Sequence, residues 1–212
     1  MKKAFHFFRI QALVVLFGFL AVACKEDEDN PNPNPGGTTN TEYNGTKYAI
    51  KNGFYQNIGS MDYYFDDEAD TKTHYGYSMV LTDGTPVIKD GQPESLPDGK
   101  IVIVTSLLSP GTSGFKTGTF EFAKDWVSDM MTLEEEAYDA KYKNKYFAPI
   151  ALVFTDSDGD KDWEDETGVA VTEGTFKVTG TAPNFTTEYD LKLTGGKTLK
   201  GSFAGKFSEI TE

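Results

Sequence analysis

The feature that most constrains the fold of this chain is a period-two alternation of apolar side chains. Met61, Tyr63 and Phe65, then Tyr75, Tyr77, Met79 and Leu81, then Tyr189, Leu191 and Leu193 each place an apolar residue at every second position. Successive side chains of an extended strand point to opposite faces, so such runs bury one face and wet the other. Phe120 and Phe122 continue the pattern, and Leu199, Phe203 and Phe207 keep even spacing beyond Gly195-Gly196, which reads as a hairpin reversal. Ile101-Val102-Ile103-Val104 is apolar on both faces and predicts a central strand. Pro149, inside the apolar run 146–154, predicts an edge or a bulge because proline cannot donate to a ladder. Many short strands punctuated by Gly and Asp turns predict an all-β domain: an antiparallel β-sandwich, with a β-barrel as the alternative.

One helix is expected to interrupt the strands. Thr132 followed by Glu135 fits a capping box, the acidic first turn complements the helix dipole, and Leu133, Ala137 and Ala140 share a face, so a short helix is predicted near 133–143.

The first 40 residues are of a different kind. Lys2, Lys3 and Arg9 precede an apolar stretch over 12–22, too short to span a bilayer comfortably, which ends in the small residues Ala21-Val22-Ala23 before Cys24. This layout resembles the lipobox of bacterial lipoproteins. The resemblance implies that the Cys24 thiol takes up diacylglycerol and that the chain is cut before it; an ordinary secretory leader ending in Ala-Val-Ala satisfies the cleavage pattern as well. Cys24 is the one cysteine in the chain and so has no intramolecular disulfide partner. Behind it Lys25, Glu26, Asp27, Glu28 and Asp29 resemble the surface-export signal of Bacteroidota-type lipoproteins, and physically such a run opens a solvated tether. Alternating Asn and Pro over 30–35, then Gly36-Gly37, make a semi-rigid spacer with a flexible end. The expected organisation is a lipoprotein signal peptide over 1–23, a lipidated disordered linker, acidic and Pro/Gly-rich, over 24–40, and a single β-rich domain over 41–212. The resemblance places the chain in the outer membrane, anchored by lipid and exposed at the cell surface.

Charge narrows the partners. The leader carries three of the 20 Lys and Arg and none of the 33 Asp and Glu, so the remainder has 17 cations against 33 carboxylates, −16, and no arginine. Phosphate recognition relies on arginine forks and clustered cations, so nucleic acid is not an expected partner. The stretch Gly174 to Phe207, with its Gly-Thr-Phe-Lys-Val strand, Gly-Gly turn and Lys-Gly-Ser-Phe-Ala-Gly return, resembles the closing strands of uncharacterised β-sandwich lipoproteins of the same bacterial group. That likeness covers about the last 40 residues and concerns strand pattern, not chemistry.

Catalytic constellations are few. Beyond the leader there is one histidine, His74, expected at a strand start on the surface or rim, so Cys-His catalysis and a multi-histidine zinc site are excluded. Ser202 sits one position early for a nucleophile elbow, and Gly196-Lys197-Thr198 ends like a phosphate loop but has Leu191 where the opening glycine belongs. A carboxylate pair for glycoside hydrolysis stays open, since acids abound and their separation is not readable from sequence.

The sharpest local motif is the acidic run 156–166, in which Asp156, Asp158, Asp160 and Asp162 alternate around Gly159. Converging oxygens from one short loop suit a hard cation such as calcium, and the run resembles an EF-hand-like loop. Lys161 stands where the required glycine belongs and Thr167 where the bidentate glutamate would be, which leaves either a looser calcium site or a solvated acidic hairpin tip. Trp163 inside this run, with Trp126, is a candidate stacking residue for a ligand. Two functional classes follow: a non-catalytic binding module for a glycan or protein ligand, or a structural or accessory component of an outer-membrane assembly.

Overall fold

The computed structural model describes residues 41–62, 71–89, 92–161, 163 and 166–211. Ten strands join in one sheet: β1 (Thr41–Tyr43), β2 (Thr46–Tyr48), β3 (Asn52–Met61), β4 (His74–Thr82), β7 (Ile101–Pro110), β8 (Gly118–Phe122), β9 (Phe147–Thr155), β10 (Val169–Thr181), β11 (Asn184–Leu193) and β12 (Thr198–Ile210). A separate hairpin holds β5 (Val87–Lys89) and β6 (Gln92–Ser95), and two helices, α1 (Trp126–Thr132) and α2 (Glu135–Tyr142), lie between β8 and β9. Among the described residues no helix is long and apolar enough to cross a membrane.

The all-β expectation is met, with a refinement in the pairing. The sheet runs β11-β10-β8-β9-β7-β4-β3-β12-β1-β2, and β11 also pairs with β12, so the hydrogen-bonded circuit returns to its start around one interior. It is mixed and not wholly antiparallel: β12 meets β3 in parallel, Phe207 opposite Gly53, and β8 meets β9 in parallel, Phe122 opposite Ala148. Both halves of the sheet feed the same core. Tyr77 from β4 and Phe185 from β11 meet edge to face at 6.3 Å, and Tyr189, Leu191 and Leu193 lie inside as their alternation requires. Tyr63 and Phe65 lie outside the described residues.

The expected hairpin reversal forms over Thr194–Gly196, with Gly195 and Gly196 at φ of 77° and 75°. A side chain at either position would be strained in this left-handed region. β7 is buried on both faces as predicted: Ile101, Ile103 and Leu107 point into the core, while Val102, Val104 and Leu108 alternate outward into two smaller clusters. Pro149 sits at a bulge, where the β7–β9 register shifts between Ser106 opposite Ile150 and Leu108 opposite Phe147, yet β9 is an interior strand with neighbours on both sides. The bulge gives proline a position that needs no ladder donor.

The helical insertion departs from expectation. There are two helices, and the predicted capping box is absent, because Glu134 is the N-cap of α2 and makes no side-chain cap bond. The buried face is Tyr138 and Tyr142, with Ala137 and Ala140 exposed, because large rings fill the space over the sheet better than two methyl groups. Together with Trp126 they cover Met61, Leu108 and Phe147 on the outer side of β3, β7 and β9. By contrast β10, β11 and β12 expose alternating polar residues on their outer side, crossed by the ion pairs Lys177–Glu188, Lys192–Glu173 and Lys200–Asp190. Half of the sheet is therefore covered on its outer side and half is bare.

Closure through β12 rests on Phe207, fully buried against Phe185 and Phe203, with its ring edge 2.7 Å from where a Cβ on Gly53 would stand. Phe207→Ala should lower unfolding free energy by about 3–5 kcal/mol, the cost of an aromatic-sized cavity that the surroundings refill only in part. Urea denaturation checks this, and a loss below about 1 kcal/mol would mean that the seam can collapse around the gap.

Candidate functional site

Among the described residues two places gather chemistry-bearing side chains. The first is the loop after β9. Asp156 accepts a bond from the Gly159 amide at 2.8 Å, Asp158 from the Asp160 amide at 3.1 Å, and Glu166 reaches back to the Ser157 amide at 2.5 Å. These short-range bonds fold the loop on itself, as Asp side chains commonly do in turns. One carboxylate oxygen from each of Asp156, Asp158 and Glu166 then lies within 4.8 Å of the others, an arrangement that can hold a metal ion. Of the four expected ligands, Asp156 and Asp158 are brought together, Asp160 stands outside the triad, and Asp162 lies outside the described residues. Glu166 was not singled out by the alternation, since its place depends on how the loop returns.

Trp163 is corrected from ligand platform to core. It is only 7% exposed, donates its indole N–H to the Leu96 carbonyl at 3.2 Å, and packs with Leu96, Val102 and Val104 over the outer face of β7. Trp126 is likewise fully buried, under the helices. Neither indole face is open to a ligand. Acidic residues dominate the sequence beside each indole, whereas burial is set by contacts across the fold.

The second place is a cleft of about 720 Å³ where β8, β9 and β10 fork. β10 pairs with β9 at Val169 and Ala170, then with β8 from Thr175 onward, and β8 wedges into the gap between them. The register slip on β10 falls between Val171 and Glu173. Gly174 follows at φ of 120°, where a Cβ would stand 2.1 Å from the Asp190 carbonyl. Only glycine fits there without moving the neighbouring strand. Half-buried Phe122 and Tyr146 line the cleft together with threonine hydroxyls and charged residues of both signs. None of these residues was marked as a site in the sequence, because β8, β9 and β10 are far apart along the chain.

Two buried polar groups brace the cleft wall. Asp129 of α1 accepts bonds from Lys141 and, at 2.5 Å, from the Tyr142 hydroxyl of α2. Burial alone would raise the Asp129 carboxyl, but these two donors outweigh it and hold the group below its usual range. Burial, reinforced by the bond to Asp129, pushes the Tyr142 phenol well up. His74 is corrected from a rim residue to a fully buried one. Its Nε2 donates to the Lys145 carbonyl at 3.0 Å, its Nδ1 faces the Thr73 hydroxyl at 2.9 Å, and its ring meets Phe147 edge to face. Burial lowers its pKa despite the favourable carbonyl.

Cys24 and the run Lys25, Glu26, Asp27, Glu28 and Asp29 lie outside the described residues. No family model, curated protein or solved structure matches this chain.

The lowered pKa of His74 fixes a pH dependence. The unfolded imidazole binds its proton near pH 6.5, the folded one only at lower pH, so the contribution is complete above that value and is lost as pH falls through the folded pKa. Stability by urea denaturation should fall as pH drops below about 6.5, and His74→Gln should flatten part of that slope. Equal slopes in both proteins would show that the imidazole does not titrate between the two states.

Proposed function

We propose that this chain is a Bacteroidota-type surface lipoprotein, lipidated at Cys24 after removal of 1–23. In this reading 25–29 act as the surface-export signal, 24–40 hold the domain off the outer membrane, and 41–212 act as a non-catalytic binding module for a glycan or protein. The observation that carries the binding role is the cleft at the strand fork. It has the volume of a ligand site, about 300–1,000 Å³, two half-buried aromatic rings, and hydrogen-bonding groups of mixed character. The tether reading rests on the order of leader, lone cysteine, acidic run and proline spacer.

Attachment is tested in cells. One diacylglycerol with an amide-linked chain supplies the several acyl signals that stable anchoring needs. Cys24→Ala should therefore move the protein out of the membrane fraction or leave it unprocessed. Retention in membranes, after a carbonate wash, of a variant from which 1–23 have been removed would reject the anchor.

The acidic triad is proposed to take calcium, with Asp156, Asp158 and Glu166 as its protein ligands. Three carboxylates from one exposed loop favour a hard, oxygen-seeking cation of flexible coordination, with affinity of about 10⁻⁴ to 10⁻³ M as in extracellular modules. At calcium about tenfold above a millimolar Kd, the linkage gain is about 1.4 kcal/mol, or about 3–6 °C in Tm for a domain of this size. Asp158→Asn should abolish the rise in a thermal melt. A wild-type Tm that ignores millimolar calcium makes the loop a solvated acidic turn.

A further inference from the structure

We propose that the cleft at the fork of β8, β9 and β10 binds a neutral oligosaccharide; this rests on the binding role argued above and names its ligand class. Charge supplies the first argument. Glu121, Asp125 and Glu173 line the cleft with Lys124, Lys141 and Lys145, three charges of each sign. Lys141 is engaged with Asp129 and Asp125, and Glu173 with Lys192 across the bare face. A strongly anionic or cationic chain entering here would meet as many like charges as opposite ones, and like-charge contacts are what specific sites use to reject a partner.

The second argument is hydrogen-bonding character. Carboxylates only accept, ammonium groups only donate, and the hydroxyls of Thr119 and Thr175 do both, while Thr172, which donates to the Lys192 carbonyl, is left as an acceptor. A sugar hydroxyl is itself donor and acceptor, so adjacent hydroxyls on one ring can satisfy a neighbouring acid and amine together. Phe122 and Tyr146, half-buried against the interior core, supply the apolar part of the lining, and the exposed part of an aromatic ring attracts the polarised C–H groups of a pyranose.

Backbone geometry disfavours a peptide as occupant. A peptide docks most readily by adding a strand to an open sheet edge. At Glu121, the middle of the cleft-lining stretch, β8 is paired on both sides, with Thr175 of β10 opposite and its amide donating to the Tyr146 carbonyl, so the backbone there offers no free ladder.

The test uses the full-length protein in detergent micelles on a printed array of neutral and acidic glycans, with isothermal titration of the best neutral hit. The expected result is a neutral oligosaccharide whose affinity falls about tenfold or more in both Phe122→Ala and Glu121→Gln and is unchanged in Lys200→Ala on the bare face. Glu121 is exposed, so its variant reports on the ligand even where loss of the phenylalanine disturbs folding. Absence of any neutral glycan binding at millimolar concentration, or neutral binding indifferent to Glu121→Gln, overturns the inference. Binding of acidic glycans alone, or of a peptide from a displayed library, with the same sensitivity to Glu121→Gln, overturns the ligand class and leaves the binding module standing. Binding by none of these probes removes both.

Discussion

The structure depends on how β12 closes the sheet. That single strand pairs with β11 over Thr198 to Lys206, with β1 at Leu199 and Lys200, and with β3 over Phe207 to Ile210. It therefore joins the bare half of the sheet to the covered half, and its Leu199, Phe203 and Phe207 supply fully or almost fully buried core side chains. The parallel contact with β3 links positions nearly a whole domain apart in sequence. Long-range closure of this kind is repaid only after most of the chain is ordered, which favours slow and cooperative folding.

Much of the fold was legible because period-two alternation is a local consequence of strand geometry. Tyr189, Leu191 and Leu193 point inward as read, and Ile101 to Val104 form a strand buried on both sides. Parallel pairings were not legible, since nothing in Phe207 or Gly53 says which strand lies beside it. The helices were misread because the sequence signal was a cap and an alanine stripe, whereas tertiary packing chose Tyr138 and Tyr142, which reach farther over the sheet. His74 and Trp163 were misread for a related reason. Each sits among polar neighbours in sequence, yet burial is decided by what lies across the fold.

The candidate sites divide along the same line. The acidic loop is contiguous, so Asp156 and Asp158 could be named from their spacing, and only the return of Glu166 needed the fold. The cleft is assembled from the forked strands and the helical insertion, with residues as distant as Thr119 and Thr175. The fork exists because β8 has only five residues and cannot separate β9 from β10 along their whole length. A short strand thus produces a concavity in a sheet that is otherwise continuously paired.

Burial of both tryptophans has a spectroscopic consequence. Trp126 belongs to the helical cover and Trp163 to the cluster at the other end of the outer face, while the rings of the interior core are all phenylalanine and tyrosine. Indole fluorescence in this protein therefore watches its two outer coverings and is nearly blind to the interior, which far-ultraviolet circular dichroism follows through the strands. Transitions that coincide by the two probes would mark the coverings and the sheet as one cooperative unit, and transitions that separate would resolve them as two.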